Sequence, residues 1–223
     1  MPLVDYQILI DDYVRDEEGK VSSTQRDDAI TRGVQDYSKH KPNRKVQDVA
    51  SDGTLLLALP PLWETDFSKI ISLEYPTGNL PPTLIEFDRL YEDTSTTKIL
   101  LKSSPNNTDN VRITYSIRHV VDILSDTIVA DDLEAACRYA AADLCDQLSG
   151  LYSEEADSTL AADSIDHGEK ARRFASRARD HRKRYHDLLG VDPKRNVAAG
   201  FVVDLDLPSS RGGDRLTHPG KYR

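Results

Sequence analysis

The segment Asp131–Leu151, DDLEAACRYAAADLCDQLSGL, predicts the third helix of a small helical bundle. Its two leading aspartates suit the positive end of a helix. Apolar or small side chains recur at helical spacing and form one face. Because much of this face is alanine, neighbouring helices can approach it closely. The residues of the face are Leu133, Ala136, Cys137, Ala140, Ala141, Leu144 and Leu148.

Both cysteines of the chain, Cys137 and Cys145, lie on this predicted helix. Their separation is about 12 Å along the helix axis, at about 1.5 Å per residue. A disulfide bond requires Cα atoms within roughly 7 Å of each other. We therefore expect two unpaired thiols that pack as small buried hydrophobic groups.

Three further helical patterns surround the segment Asp131–Leu151. Leu3–Val14 and Thr24–Lys39 precede it, and a pattern from about Ala161 to Leu189 follows it. Ser22, Ser23 and Thr24 offer N-cap oxygens to the second helix. Gly190 suits the C-terminal cap of the last helix. These patterns predict a small α-helical bundle.

Between the second and third helices, the pattern changes to short strands separated by turn residues. Val111–Arg118 alternates apolar and polar side chains, which indicates a strand with one buried and one solvated face. Strands this close in sequence favour an antiparallel meander or a small barrel over βαβ units. The other predicted strands are Val46–Ala50, Leu55–Leu59, Ile70–Tyr75, Leu84–Leu90 and Ile99–Leu101.

The expected fold class is therefore α+β, a helical bundle with an inserted antiparallel β domain and an extended C-terminal arm. Residues 1–44 and 122–195 form the predicted bundle, residues 45–121 the β insert, and residues 196–223 the arm. Within the arm, Phe201–Leu207 alternates like a strand and could pair with a sheet edge of another subunit. The alternative is a solubilising tail without fixed structure.

Composition limits the possible functions. The chain has 223 residues and a net charge of −9, so no global attraction to nucleic acid is indicated. It contains no run of about 18 apolar residues, which predicts no membrane span. The N-terminus is acidic where a signal peptide would be basic. We therefore expect the protein to remain in the cytoplasm of the cell that makes it.

Sequence motifs for phosphate loops, zinc sites and activated nucleophiles are absent from the chain. The tightest carboxylate–imidazole group is Asp163, Asp166 and His167. One interpretation is a metal or acid–base site. The other, which we favour, is an acidic first turn that complements a helix N-terminus. No catalytic residue, metal or cofactor is expected, and the chain is not expected to be an enzyme.

The last predicted helix is unusually basic for an acidic protein. Between Glu169 and Arg184 it carries eight basic and two acidic side chains. Three interpretations remain open: contact with DNA phosphates, docking to an acidic protein surface, and pairing with acids of the same chain. The first 28 residues carry eight acids and three bases. They are a candidate acidic counterpart, within one chain or between chains.

Several stretches resemble the head–tail adaptor proteins, also called connector or neck proteins, of long-tailed bacteriophages. The most specific is WETDFSKIISLEYPTGNLPP, residues 63–82. The others are DDAITRGVQDYSKHKP (27–42), VRITYSIRHVV (111–121), DDLEAACRYAAADLCDQLSGLYS (131–153), DSIDHGEKARRFASRARDHRKRYHDLLG (163–190) and RLTHPGKYR (215–223).

This resemblance implies a structural virion protein without enzymatic activity or cofactor. Such a protein is made in the host cytoplasm and forms a ring, commonly of twelve copies, beneath the portal in the virion neck. The ring extends the DNA channel, through which genomic DNA passes without specific binding, and offers a docking face to the tail or its terminator. A nucleic-acid-associated phage protein that binds through the basic helix is the alternative. We expect partner contacts at Phe201, Val203, Leu205, Arg211, Arg215, Leu216, His218, Arg177 and Arg184.

Overall fold

A computed structural model describes residues 2–92, 96–155 and 167–192. It shows an α+β fold in which antiparallel strands are inserted between the second and third helices, as the sequence predicts. The helices and sheets belong to one compact unit, Met1–Val191. The helices are α1 (Leu3–Val14), α2 (Ser23–His40), α3 (Leu133–Glu155) and α4 (His167–Leu189). The strands are β1 (Asn43–Asp52), β2 (Leu56–Ala58), β3 (Ile70–Glu74), β4 (Phe87–Glu92), β5 (Thr97–Leu101) and β6 (Asn107–Ile117).

The helix bounds lie close to the predicted ones. For α1 the prediction is confirmed at both ends, and α2 is longer by one residue at each end. A capping box explains its start, since Ser22 Oγ accepts from the Gln25 N–H and Gln25 Oε1 accepts from the Ser22 N–H. The predicted start of α4 near Ala161 lies outside the described residues. The predicted C-terminal arm, 196–223, including the predicted strand Phe201–Leu207, lies outside them as well.

The start of α3 differs from the prediction. A short 3-10 turn occupies Ala130–Asp132, and the α-helix begins at Leu133. Tyr37 Oη donates a hydrogen bond of 2.7 Å to the Asp132 carboxylate, and Lys41 Nζ lies 2.9 Å from it. Asp132 therefore anchors the entry to α3 on the end of α2, which helix periodicity alone does not reveal.

Small residues let α2 and α3 approach each other closely. A Cβ atom added at Gly33 would lie 2.9 Å from the Ala136 carbonyl oxygen and 3.4 Å from Ala140 Cβ. Cys137 and Cys145 are buried and unpaired, as predicted. The alanine-rich face of α3 thus forms the centre of the helical core, which α1, α2 and α4 all contact.

The strands form two three-stranded antiparallel sheets, with orders β1-β6-β3 and β2-β5-β4. Antiparallel pairing is confirmed, but the sequential order of a meander is wrong. β6 lies between β1 and β3 and pairs with both. Its buried face is formed by Val111, Ile113 and Tyr115. On the opposite face, Arg112 pairs with Asp48 of β1.

The two sheets share one apolar core. The segment 83–92 joins them, since Tyr75 N donates to Thr83 O on the β3 side and β4 pairs with β5. Ser116, expected on the solvated face of β6, is buried, and its hydroxyl accepts a hydrogen bond from the Lys69 N–H. The core residues are Leu57, Leu73, Ile99, Leu101, Val111, Ile113 and Tyr115.

His119 fastens the insert to the bundle where the chain returns from β6. Its backbone N–H donates to Ser38 Oγ at 2.9 Å. Its ring Nε2 lies 3.0 Å from the Lys41 carbonyl oxygen, and Nδ1 lies 3.0 Å from Thr127 Oγ1. Nδ1 also lies 2.9 Å from the Thr127 carbonyl oxygen, so the ring bridges Lys41 and Thr127. The segment that leaves the bundle at Lys41 and the segment that returns to it are therefore both held by contacts of His119.

Two glycine-to-alanine substitutions, one at Gly33 and one at Gly150, test the close approach of α2 and α3. Gly33→Ala should lower the free energy of unfolding by about 1–2 kcal/mol, because the new methyl group meets a backbone carbonyl that cannot move independently. Gly150→Ala, on α3 with open space around it, should raise that free energy by up to about 1 kcal/mol through helix propensity. Urea unfolding measures both. Equal shifts for the two variants would contradict the close α2–α3 approach.

Burial lowers the pKa of His119, which predicts a pH dependence of stability. The unfolded chain takes up the proton more readily than the folded chain, so this stabilisation is present above about pH 6.5 and lost as pH falls below it. His119→Gln cannot titrate. The difference in unfolding free energy between wild type and this variant should therefore shrink from pH 7 to pH 5. Parallel pH profiles for the two proteins would refute this role.

Candidate interaction surface

The candidate surface is the outward face of α4. The side of α4 that faces the bundle is formed by the buried residues Ala171, Ala178 and Tyr185. On the solvent side, Arg172, Arg179 and Lys183 are exposed. We call these three residues the outward stripe. Their spacing of seven and four residues places them on one side of the helix, so the stripe concentrates positive charge on a protein whose net charge is −9.

Four of the eight cations of α4 lie near acids of the same chain. One of these acids, Glu18, comes from the acidic N-terminal segment, so part of the predicted charge matching occurs within the chain. The longest of the four contacts, 4.0 Å, joins Arg184 Nε to Glu134 Oε1. The pairs are Lys170–Glu18, Arg173–Glu169, Arg182–Asp146 and Arg184–Glu134.

The outward stripe is not compensated in this way. Within the described residues, no carboxylate lies within 4 Å of Arg172, Arg179 or Lys183. Arg179 Nε donates only to the Ala175 carbonyl oxygen, 3.3 Å away on its own helix. Pairing with acids of the same chain therefore explains part of the basic helix, and the stripe remains free for a partner.

The structure describes two of the predicted partner residues. Arg177 Nη1 donates to the Val14 carbonyl oxygen at 3.3 Å, and its guanidinium carbon lies 5.4 Å from the Phe174 ring centroid. This side chain therefore holds the C-terminal end of α1 against α4. Arg184 is exposed beside its long contact to Glu134. The other predicted contacts, Phe201, Val203, Leu205, Arg211, Arg215, Leu216 and His218, lie outside the described residues.

The predicted carboxylate–imidazole group cannot be placed. Asp163 and Asp166 lie outside the described residues, and His167 is described only as the first residue of α4. Within the described ranges, no group of three or more His, Cys, Asp or Glu side chains is arranged to hold a metal ion. None of the described helices is long and apolar enough to cross a membrane.

Arg138 of α3 joins three helices beneath the stripe. Its guanidinium carbon lies 3.7 Å from the Tyr13 ring centroid, and its Nη2 lies 3.0 Å from Glu134 Oε1. Its Nη1 lies 3.2 Å from His181 Nδ1. Burial, and next the positive charge of Arg138, lower the pKa of His181. A neutral His181 can then accept the hydrogen bond from Arg138.

Sequence reasoning missed one exposed apolar feature. Ile123 and Leu124, which we call the knob, lie in the turn that precedes α3, and both side chains are largely exposed. The available signal was an apolar pair between Asp122 and Ser125, in a position where turns usually carry polar residues. A search for helical or strand periodicity does not detect such a pair, because the two residues belong to no helix or strand.

The chain was compared with known proteins. No protein-family model matches it, and no curated protein sequence matches it. The fold and the surfaces described above are therefore the basis for a functional proposal, together with the resemblance carried by the quoted sequence stretches.

Substitution of two arginines in turn distinguishes a residue that stabilises the bundle from one that lies on its surface. Arg138→Ala should lower the free energy of unfolding by about 1–2 kcal/mol, because it removes the contact with the Tyr13 ring and apolar packing of the side-chain stem. Arg179→Ala, on the outward stripe, should change it by less than about 0.5 kcal/mol. Thermal and urea unfolding measure both changes. A large loss at Arg179 would show that the stripe serves the fold.

Proposed function

We propose that this chain is a structural protein of a tailed bacteriophage, the adaptor between the portal of the capsid and the tail. In this proposal, about twelve copies form a ring in the virion neck after synthesis in the host cytoplasm. The ring extends the DNA channel and offers a docking face to the tail terminator or another neck protein. The role is mechanical and requires no catalysis or cofactor.

The order of the structural elements carries this proposal. A helical bundle is interrupted between α2 and α3 by antiparallel sheets. That is the architecture expected from the resemblance to head–tail adaptors, which involves stretches in both the helices and the insert. The observation supports the proposal at the level of architecture, and the assignment to the virion neck rests on the resemblance.

The charge distribution is a second line of support. A ring needs two different faces that fit each other on each subunit. The outward stripe provides a basic face, whereas the exposed acids Asp12, Glu17 and Asp28 lie on or next to α1 and α2. Contact between such faces of adjacent copies would bring opposite charges together. Net acidity also suits a channel through which DNA must slide without adhering.

Nucleic-acid binding through α4 is the second candidate. The observation in its favour is the outward stripe, whose three cations extend along about 16 Å of helix at about 1.5 Å per residue. The overall charge of −9 opposes it. A binding constant for duplex DNA that falls steeply with salt, and that is lost on replacing the three cations with glutamine, would favour this candidate.

Mass measurement by light scattering tests the adaptor proposal. The purified chain is measured alone and with the portal protein of the same virus, as full-length protein and as a truncation after Asn196. The full-length chain should add about one copy per portal subunit, and the truncation should not, because the arm is proposed to anchor the ring. Salt-dependent DNA binding should be weak in both forms.

Failure of the full-length chain to bind the portal would overturn the adaptor proposal. If the truncation binds as well as the full-length chain, the adaptor role stands and the anchoring role of residues 197–223 is wrong. If the chain does not bind the portal but binds DNA through the outward stripe, the nucleic-acid alternative is favoured.

A further inference from the structure

The knob is presented by a hydrogen-bonded turn. Asp122 N donates to Ser125 O at 2.7 Å, and Thr127 N donates to Val120 O at 3.1 Å. At the tip, Ile123 is 74% exposed and Leu124 is 88% exposed. Together the two adjacent aliphatic side chains form a small apolar patch that a partner can cover.

The base of this turn is fixed to the helical bundle. Leu3 N donates to Asp122 O at 3.0 Å, and Tyr6 Oη donates to the carboxylate of Asp126. Val121 packs against the helical core. The turn therefore holds its two apolar side chains in one position relative to the bundle, which reduces the ordering cost of docking.

A groove lined mostly by apolar side chains lies on the β insert. Its wall also contains Ser72 and Glu86, and Glu86 pairs with Lys102 of the same chain. The groove has a volume of about 440 Å³ and is lined by residues of β3 and of the segment 84–87, and this volume lies within the range of about 300–1,000 Å³ found for binding pockets. A register shift between Ile70 and Ser72 leaves Ile71 46% exposed. Leu84, 65% exposed, lines the same groove. The apolar groove is therefore open to solvent.

We propose that the knob of one copy docks into this groove on a second copy. Charged residues beside the knob and the groove favour a second copy as the partner. Asp122 adjoins the knob and Lys69 precedes β3, and both are exposed. Within the described residues, neither has an opposite charge within 4 Å. Docking brings apolar surfaces together and places Asp122 and Lys69 at the rim of the same contact.

This contact is head-to-tail. The knob and the groove are different surfaces, so every copy offers one of each and the contact repeats from copy to copy. Closure of that repeat produces a ring. Ring closure through this contact rests on the proposed function, because the knob–groove contact would join the neighbouring copies of an adaptor ring.

Cysteine trapping tests the contact even when association is transient. A Leu124→Cys copy is mixed with a Leu84→Cys copy and exposed to oxidised glutathione. Val46→Cys replaces Leu84→Cys in the control, because Val46 is exposed on β1 at the opposite edge of the same sheet from β3. The native thiols should not interfere, since burial raises the pKa of Cys137 to about 12 and that of Cys145 to about 11.

Docking raises the local concentration of the two introduced thiols, so the 124–84 disulfide should form at least about tenfold faster than the 124–46 control. Adding Ile71→Asp to the Leu84→Cys copy should remove that advantage, because it places a charge in the groove. Equal rates for the 124–84 pair and the control would overturn the proposal. Preferential 124–124 linkage would also overturn it, because that result indicates a symmetric knob-to-knob contact.

The portal measurement separates this inference from the proposed function. If the wild-type chain joins the portal but the 124–84 trap shows no advantage, this contact is wrong and the adaptor role stands. If the trap succeeds but the chain does not join the portal, the self-docking contact stands and the adaptor role is wrong.

Discussion

Close approach of α2 to α3 constrains the rest of the bundle. At Gly33 the two backbones are so near that even a methyl group would meet the Ala136 carbonyl. This closeness is possible because α3 presents alanine and cysteine along its buried side. A helix with this face can pack against α1, α2 and α4 together, and larger side chains would force those helices apart. The alanine content of α3 thus sets the dimensions of the helical core.

The insert depends on a second constraint, the junction at His119. The chain leaves the bundle after Lys41 and returns at His119, and one imidazole contacts both the outgoing backbone and Thr127. The insert has its own apolar core between two sheets. The junction at His119 therefore joins two separately packed regions through hydrogen bonds.

The cations of α4 fall into two groups: some contact neighbouring elements of the fold, and others are exposed to solvent. On α4, Arg177, Lys170 and Arg182 contact neighbouring elements, whereas no residue of the outward stripe has an ion pair within the described structure. Residues that stabilise a fold and residues that remain free thus alternate along one helix. For the proposed adaptor, this arrangement combines a rigid bundle with charged and apolar surfaces available to neighbouring copies, and the knob and groove provide the apolar part.

Elements that follow local rules can be predicted from the order of the amino acids. Helical periodicity located α1 and α2 to within a residue, alternation in β6 identified its buried face, and the spacing of Cys137 and Cys145 excluded a disulfide between them. The strand order, the partners of the α4 cations and the exposure of Ile123 and Leu124 became visible in the folded chain alone. These properties depend on contacts between residues far apart in the chain. Local periodicity shows which face of an element is apolar, but it carries no information about which distant element covers that face.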